Sequence, residues 1–492
     1  VISQRGPSTG EETTQAPAAV RRVGLVLGPL LFGVLALAPS PLHQLEGLGH
    51  RPALAAGLSL WMAVWWFTEA IPIHWTALFP LLAWPALDVF GTGPVAGAQR
   101  TLGEFLNAYM FLFAGGMALG AAMEHWGLHR RVALHIMVRI GASPRRLLLG
   151  MLVATGVVSL WISNTATAVM MMPIGLAVVT QLEARAGRKL GPYASALMLA
   201  VAYAANVGGI GTKIGSATNS IVVGFLSSSL HYDMSFLEYA AVALPFVVLF
   251  IPLVWLVLWR LGAADAPQGA VGREVLASEL DALGPMSARE RQVARVFLLA
   301  ASLWVLGDPL RAGLKQIAPL AFEARHYEAA VALLAAGLLA VRGALPVRAL
   351  RRIPVPALLL LGGSFAMAAG LEGSGLSKWL GLQLEPVRAL PPAAQLLLAL
   401  GATVGLSAVA SNTATVNLML ALLPANLPLL AAVGMAASCD FALPAGTPPN
   451  AIVFGSGRIR LPTMMKVGVL LDVAAVLVLT LYGLSWLPRI LR

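Results

Sequence analysis

The stretches "WISNTATAVM" (Trp161–Met170) and "VASNTATVNL" (Val409–Leu418) each set an asparagine between two small hydroxyl residues inside otherwise apolar sequence. A polar break of this kind interrupts a helix and leaves backbone N–H and C=O groups without intrahelical partners. Within a membrane such backbone survives only when buried in protein or lining an aqueous cavity. The composition places it in a membrane. The chain has 492 residues, of which 58% are hydrophobic and 11% charged, with a mean hydropathy of +0.80. A soluble domain carries about 25% charged residues. The fold class expected is therefore an all-α polytopic membrane protein in contact with the lipid bilayer.

Other classes fall away on the same reading. The net charge of +11 lies in short loops between apolar runs, not in one basic domain, so nucleic acid is not an expected partner. A single cysteine, Cys439, excludes an internal disulfide and a cysteine metal cluster. The chain carries no phosphate loop, zinc motif or nucleophile–base constellation, so it is not expected to be an enzyme or to use an organic cofactor. Residues 1–20 are polar, read as a disordered tail, and lack the apolar core of a cleaved signal.

Apolar spans are expected at 23–39, 53–70, 72–90, 105–125, 193–207, 236–259, 290–307, 327–341, 353–371, 427–443 and 464–487. Two further apolar stretches, 147–182 and 393–424, are cut by Ser-Asn-Thr and are read as re-entrant hairpins. Eleven spans plus two hairpins put the N-terminus in the cytoplasm and the C-terminus outside, in a cell inner membrane. The loops agree: "EARAGRKLGP" and "VRGALPVRALRR" fall inside, while "SSSLHYDMS", without Lys or Arg, falls outside. The segment 128–146, with Arg130, Arg131, Arg139, Arg145 and Arg146, reads as an amphipathic helix on the cytoplasmic surface. His125 and His129 read as interfacial, Glu124 and Glu372 as lying at the water boundary, and Trp61, Trp65, Trp66 and Trp75 as lipid-facing or interfacial anchors.

The chain also repeats itself. Ser163 and Ser411 are 248 positions apart, and the same offset lays "FAGGMALGAAMEHWGL" (113–128) on "LGGSFAMAAGLEGSGL" (361–376), Ser159 on Ser407 and Gly127 on Gly375. A second pair, "IGSATNSIV" (214–222) and "AGTPPNAIV" (445–453), aligns at an offset of 231. With the first hairpin reached from the cytoplasm and the second from outside, this is an inverted-topology repeat, an architecture common among secondary transporters. At each tip Ser and Asn offer oxygens and free carbonyls suited to a hard cation. The half-helices that start at Asn164–Thr165 and Asn412–Thr413 turn free N–H groups toward an anion. Breaks at Gly215-Ser216 and Gly446-Thr447-Pro448-Pro449 repeat that chemistry from the other side.

On the two Ser-Asn-Thr motifs and "GTPPNAIVFGS" (446–456), the chain resembles the divalent anion:sodium symporter family, over nearly all of its length after about residue 20. The resemblance implies a homodimeric elevator-type carrier in which a transport domain moves against a fixed scaffold. The expected division is a tail (1–20), scaffold helices (21–146), the first half of the transport domain (147–262), a loop and scaffold helices (263–392) and the second half of the transport domain (393–492). By the same resemblance one co-transported sodium would be held by Ser159, Ser163, Asn164 and Gly215, and another by Ser407, Ser411, Asn412 and Gly446. Substrate carboxylates would meet Asn164, Thr165, Ser216, Asn412, Thr413, Thr447 and Pro448. Where the family has Pro-Pro in the first repeat, this chain has Ala217-Thr218.

The function implied is sodium-coupled symport of C4-dicarboxylates such as succinate, malate or fumarate. A sodium-independent exchanger, a proton-coupled carrier, citrate or sulfate as substrate, and an anion channel are the alternatives. Two charges depart from the family pattern, Lys213 in "GGIGTKIGSATN" and Asp440 in "SCDFALPAGTPPN". Ionisable groups at membrane depth are functional candidates by default. Either Lys213 reaches water and Asp440 pairs locally, or Lys213 is a tethered cation beside the first sodium site, with Asp440 as its partner or a proton carrier.

Overall fold

Alanine and glycine decide the centre of the molecule. The helix Gly191–Gly209 ("GPYASALMLAVAYAANVGG") is buried on every side from Tyr193 to Gly209. Its small side chains let four helices close on it: Pro144–Ser159, Asn164–Ala186, Phe236–Gly262 and Pro448–Phe454. The approach is closest at Gly208, where a Cβ would be driven into the backbone of Gly156. Gly208→Ala is therefore expected to cost about 1–3 kcal/mol through overpacking, read as a lower melting temperature in detergent.

This computed structural model describes residues 17–38, 41–43, 45, 48–267, 273–317, 323–383, 387 and 389–491. Among them every regular element is helical. Seven helices are long and apolar enough to cross a membrane, and an eighth span is counted if Ala288–Val305 and Gly307–Gln316, bent by 71°, are taken together. The chain is a multi-pass membrane protein. The expected tail, 1–20, lies outside the described residues up to residue 16, and the first helix starts at Ala18.

Nine of the expected spans coincide with helices, and two differ. The stretch 72–90 is two short helices, Ile73–Thr76 and Phe79–Ala86, with prolines at 72, 80 and 85. Proline removes a backbone donor and crowds the preceding turn, so one continuous span does not form. The span read at 427–443 is helical only over Leu427–Ala436, where the chain breaks ahead of the Gly446 motif. The amphipathic segment is helical over Leu128–Ile140. It is tied to the helix Arg273–Asp281 by the pair Arg130–Glu279 and to the start of the span Ala288–Val305 by Arg131–Glu290.

Three smaller expectations are corrected. Trp65 and Trp66 are buried, donating to Gly24 O (2.9 Å) and Ile73 O (3.1 Å), so they clamp the first helices together instead of facing lipid. Trp75 is exposed. His129 is buried, with its ring nitrogen 3.2 Å from Met123 O, and is not interfacial.

The repeat is visible in the helix ends. Pro144–Ser159 and Asn164 as a helix start recur 248 residues later as Pro392–Ser407 and Asn412. Ala217 and Pro448, the starts of the half-helices after the two breaks, are 231 apart. Gly127 and Gly375 both hold left-handed backbone, φ 74° and 80°, a conformation that penalises any residue with a Cβ.

Candidate functional site

Each hairpin tip is built by the same three groups. Ser163 and Ser411 cap the outgoing half-helices, their hydroxyls accepting from Ala166 N (3.3 Å) and Ala414 N (3.2 Å). Ser159 Oγ stands 2.7 Å from Ala205 O and 2.9 Å from Asn164 Oδ1. Ser407 Oγ repeats both distances, to Ala437 O and Asn412 Oδ1. The serine one turn before the tip thus ties the tip asparagine to the end of the neighbouring broken helix.

The breaks are held just as symmetrically. Asn219 Nδ2 donates to Gly209 O and Thr212 O, both at 2.7 Å. Its counterpart Asn450 donates to Asp440 O and Leu443 O, both at 3.0 Å. Both asparagines are buried, and each satisfies carbonyls that the interrupted helix leaves free. Around Gly215 the carbonyls of Ser159, Leu160 and Gly209 converge so closely that a Cβ there would meet all three. Oxygen donors gathered on one point are what a hard monovalent cation requires.

The repeats also lock onto each other. Asn206 Nδ2 donates to Thr447 Oγ1 (3.0 Å), and Thr218 Oγ1 lies 3.3 Å from Ser438 Oγ. The helix that starts at Asn164 packs on Pro448–Phe454, and Asn412–Leu422 packs on Ala217–Leu230. The four helices that begin at the tips and breaks thus pack as two pairs, each joining one repeat to the other. Asn164, Thr165, Ser216, Asn412 and Thr413 are partly exposed and Pro448 is exposed, while Thr447 is buried under Asn206. In this arrangement Ser159, Asn164 and Gly215 come together, as do Ser407, Asn412 and Gly446, whose position adjoins Ala408 O. The side chains of Ser163 and Ser411 serve the helix starts.

Asn206, Asn219 and Asn450 were not singled out from sequence. The signal was present for Asn219 and Asn450, since both sit inside the aligned motifs at the 231 offset. Asn206 could have been found as the lone amide in a helix of small residues.

Lys213 requires a correction. It does not reach water: its side chain is 1% exposed, and its ammonium meets Glu328 Oε2 at 2.7 Å and the Met234 carbonyl. The Tyr109 ring lies 5.8 Å away as a cation–π neighbour. Its partner is Glu328 of the helix Ala324–Val341, not Asp440, so the reading of a tethered cation paired with Asp440 is set aside.

Comparison with known proteins shows what the chain as a whole is similar to. The model of the sodium:sulfate symporter transmembrane region matches residues 20–491. The sodium-dependent dicarboxylate transporter SdcS of Staphylococcus saprophyticus is 35% identical over 492 residues, covering 95% of this chain and 92% of that protein. SdcS of Staphylococcus aureus is 34% identical over 497 residues, covering 96% and 92%. In fold, the chain is similar to the Alcanivorax borkumensis YdaH transporter, with a TM-score of 0.50 at 17% identity, covering 80% of this chain and 90% of that one.

Proposed function

Because the chain belongs to the sodium:sulfate symporter family, we propose that it is a sodium-coupled symporter of C4-dicarboxylates such as succinate, malate and fumarate. The observation that carries this reading is the twice-built tip, in which Ser159–Asn164 and Ser407–Asn412 present oxygens beside a helix start. A dicarboxylate carries two negative charges at neutral pH. Cations in the two cradles neutralise it, and each half-helix start adds about half a positive charge from its dipole. Neither element requires a buried arginine.

The ligands in this reading are Ser159, Ser163, Asn164 and Gly215 for one sodium, and Ser407, Ser411, Asn412 and Gly446 for the other. Thr165, Ser216, Thr413, Thr447 and Pro448 join the two asparagines around the substrate. Residues 147–262 and 393–492 form the moving domain of an elevator, and 21–146 with 263–392 the scaffold of a homodimer. The protein sits in a cell inner membrane with its N-terminus in the cytoplasm and its C-terminus outside. Names of the relatives support sodium and dicarboxylate, and the helix pairs that join the repeats support one site shared by both.

Uptake of labelled succinate into proteoliposomes tests it. An inward sodium gradient should drive uptake, a choline gradient should not, and malate and fumarate should compete better than sulfate or citrate. Equal uptake under sodium and choline would overturn the coupling. Stronger competition by sulfate would overturn the substrate class.

A further inference from the structure

The two cradles differ in one residue. Asn219 and Asn450 hold Gly209 O and Asp440 O respectively, so the 231 offset sets Asp440 where the first repeat has Gly209. A Cβ on Gly209 would be driven into Asn164 Oδ1. A side chain at the equivalent position of the second repeat therefore projects toward Asn412. Asp440 does so. It is 1% exposed, the Asn412 side chain lies alongside its carboxylate, and Oδ2 comes within 2.5 Å of where a Cβ on Gly446 would stand. The Ala408 carbonyl borders the same point.

Neither carboxylate oxygen of Asp440 has a well-formed hydrogen bond among the described residues, although both are buried. The cation that could have neutralised it, Lys213, is taken by Glu328. The nearby Asp472 adds negative potential, its Oδ1 accepting from Phe441 N (2.8 Å) and so holding the backbone beside Asp440. A buried carboxylate is kept charged by pairing or by coordinating a metal. Beside it stand the Asn412 side chain, whose Oδ1 is 2.9 Å from Ser407 Oγ, and the Ala408 carbonyl, which faces the same point above Gly446 as Asp440 Oδ2.

We propose that Asp440 is a direct ligand of the second co-transported cation, so that the second cradle is anionic and the first, with Gly209, is neutral. The proposal rests on the sodium-symport reading and goes beyond it: the two cation sites are unequal, and the second fills at lower sodium. A fixed charge in contact with the ion strengthens binding in a way that serine and asparagine dipoles alone do not.

The test uses the purified full-length protein in detergent, without substrate. Melting temperature is followed against sodium chloride at constant ionic strength set with potassium chloride, for the wild type and for Asp440→Asn. The half-saturating sodium concentration should rise tenfold or more in the variant, and the same rise should appear in sodium-driven succinate uptake. In sodium-free buffer Asp440→Asn should melt no lower than the wild type, since a charge has been removed from an empty cradle. A variant that melts lower at every sodium concentration with an unchanged half-saturation assigns Asp440 a structural role and overturns the proposal. A wild type indifferent to sodium in both assays overturns the symport reading itself, whereas a sodium-dependent wild type matched by its variant overturns only the ligand assignment. Should the variant not fold, sodium-minus-potassium infrared difference spectra of the wild type decide the matter. They should carry a shifted carboxylate band, and a spectrum without one overturns the proposal.

Discussion

Asn164→Ala and Asn412→Ala are each expected to lower the efficiency of sodium-driven succinate uptake by about a hundredfold while leaving a folded protein. Each asparagine stands at a half-helix start, with its Oδ1 2.9 Å from a serine hydroxyl, Ser159 or Ser407. In the proposed site the same amide faces a cation with its oxygen and a carboxylate with its nitrogen. A hydrogen bond to a charged group contributes about 1.5–3 kcal/mol, and each 1.4 kcal/mol is a factor of about ten. With each contact taken at the lower end of that range, losing two at once gives about the hundredfold quoted. Helix formation is not at stake, because the capping bonds come from Ser163 and Ser411. Size-exclusion profiles and melting curves should therefore stay close to wild type. Either variant transporting with wild-type rate and sodium dependence would remove that asparagine from the site.

The hairpins were legible because a polar tripeptide in lipid has so few physical outcomes. Ser-Asn-Thr ends one helix and caps the next, and the 248-residue offset carried that reading from Ser163 to Ser411. The half-helix breaks followed from glycine and proline at Gly215 and Gly446. Legibility ended where a residue's environment depends on distant chain. Trp65 and Trp66 have the composition of interfacial anchors, but Trp65 is covered by the helix Ala18–Leu37 and Trp66 is turned toward Ile73 in the next helix. The stretch 72–90 is apolar enough for a span, but its prolines set the helix lengths. Lys213 and Asp440 looked like a pair since both were unexpected charges near a break. The true partner of Lys213 lies 115 residues away on a helix whose other residues gave no hint of it. Asp440 differs from Gly209 in charge, which the sequence states, but its direction toward Asn412 comes from the backbone that Asn450 holds.

Removing one member of the Lys213–Glu328 pair should destabilise the protein by about 3–5 kcal/mol, the range for an ion left buried without its partner. The two side chains are 1% and 3% exposed, and their 2.7 Å contact is reinforced by the Met234 carbonyl on the ammonium and by Phe236 N on the carboxylate. Lys213→Met leaves Glu328 with a single backbone donor, and Glu328→Gln leaves the ammonium with neutral acceptors and the Tyr109 ring but no counter-charge. Both variants should melt several degrees below wild type. The double variant Lys213→Met/Glu328→Gln removes both charges and should recover most of the loss, because a buried pair replaced as a unit is often neutral. In the elevator reading the pair also joins the two domains, Lys213 lying in the first break and Glu328 on the helix Ala324–Val341 that packs on Ala108–His125. Movement of one past the other would have to part these charges, so the double variant should keep its sodium dependence and turn over at least as fast as wild type. Single variants that melt like the wild type would mean that solvent reaches the pair. A double variant that folds but no longer transports would mean that the pair takes part in the cycle in some way other than as a contact to be broken.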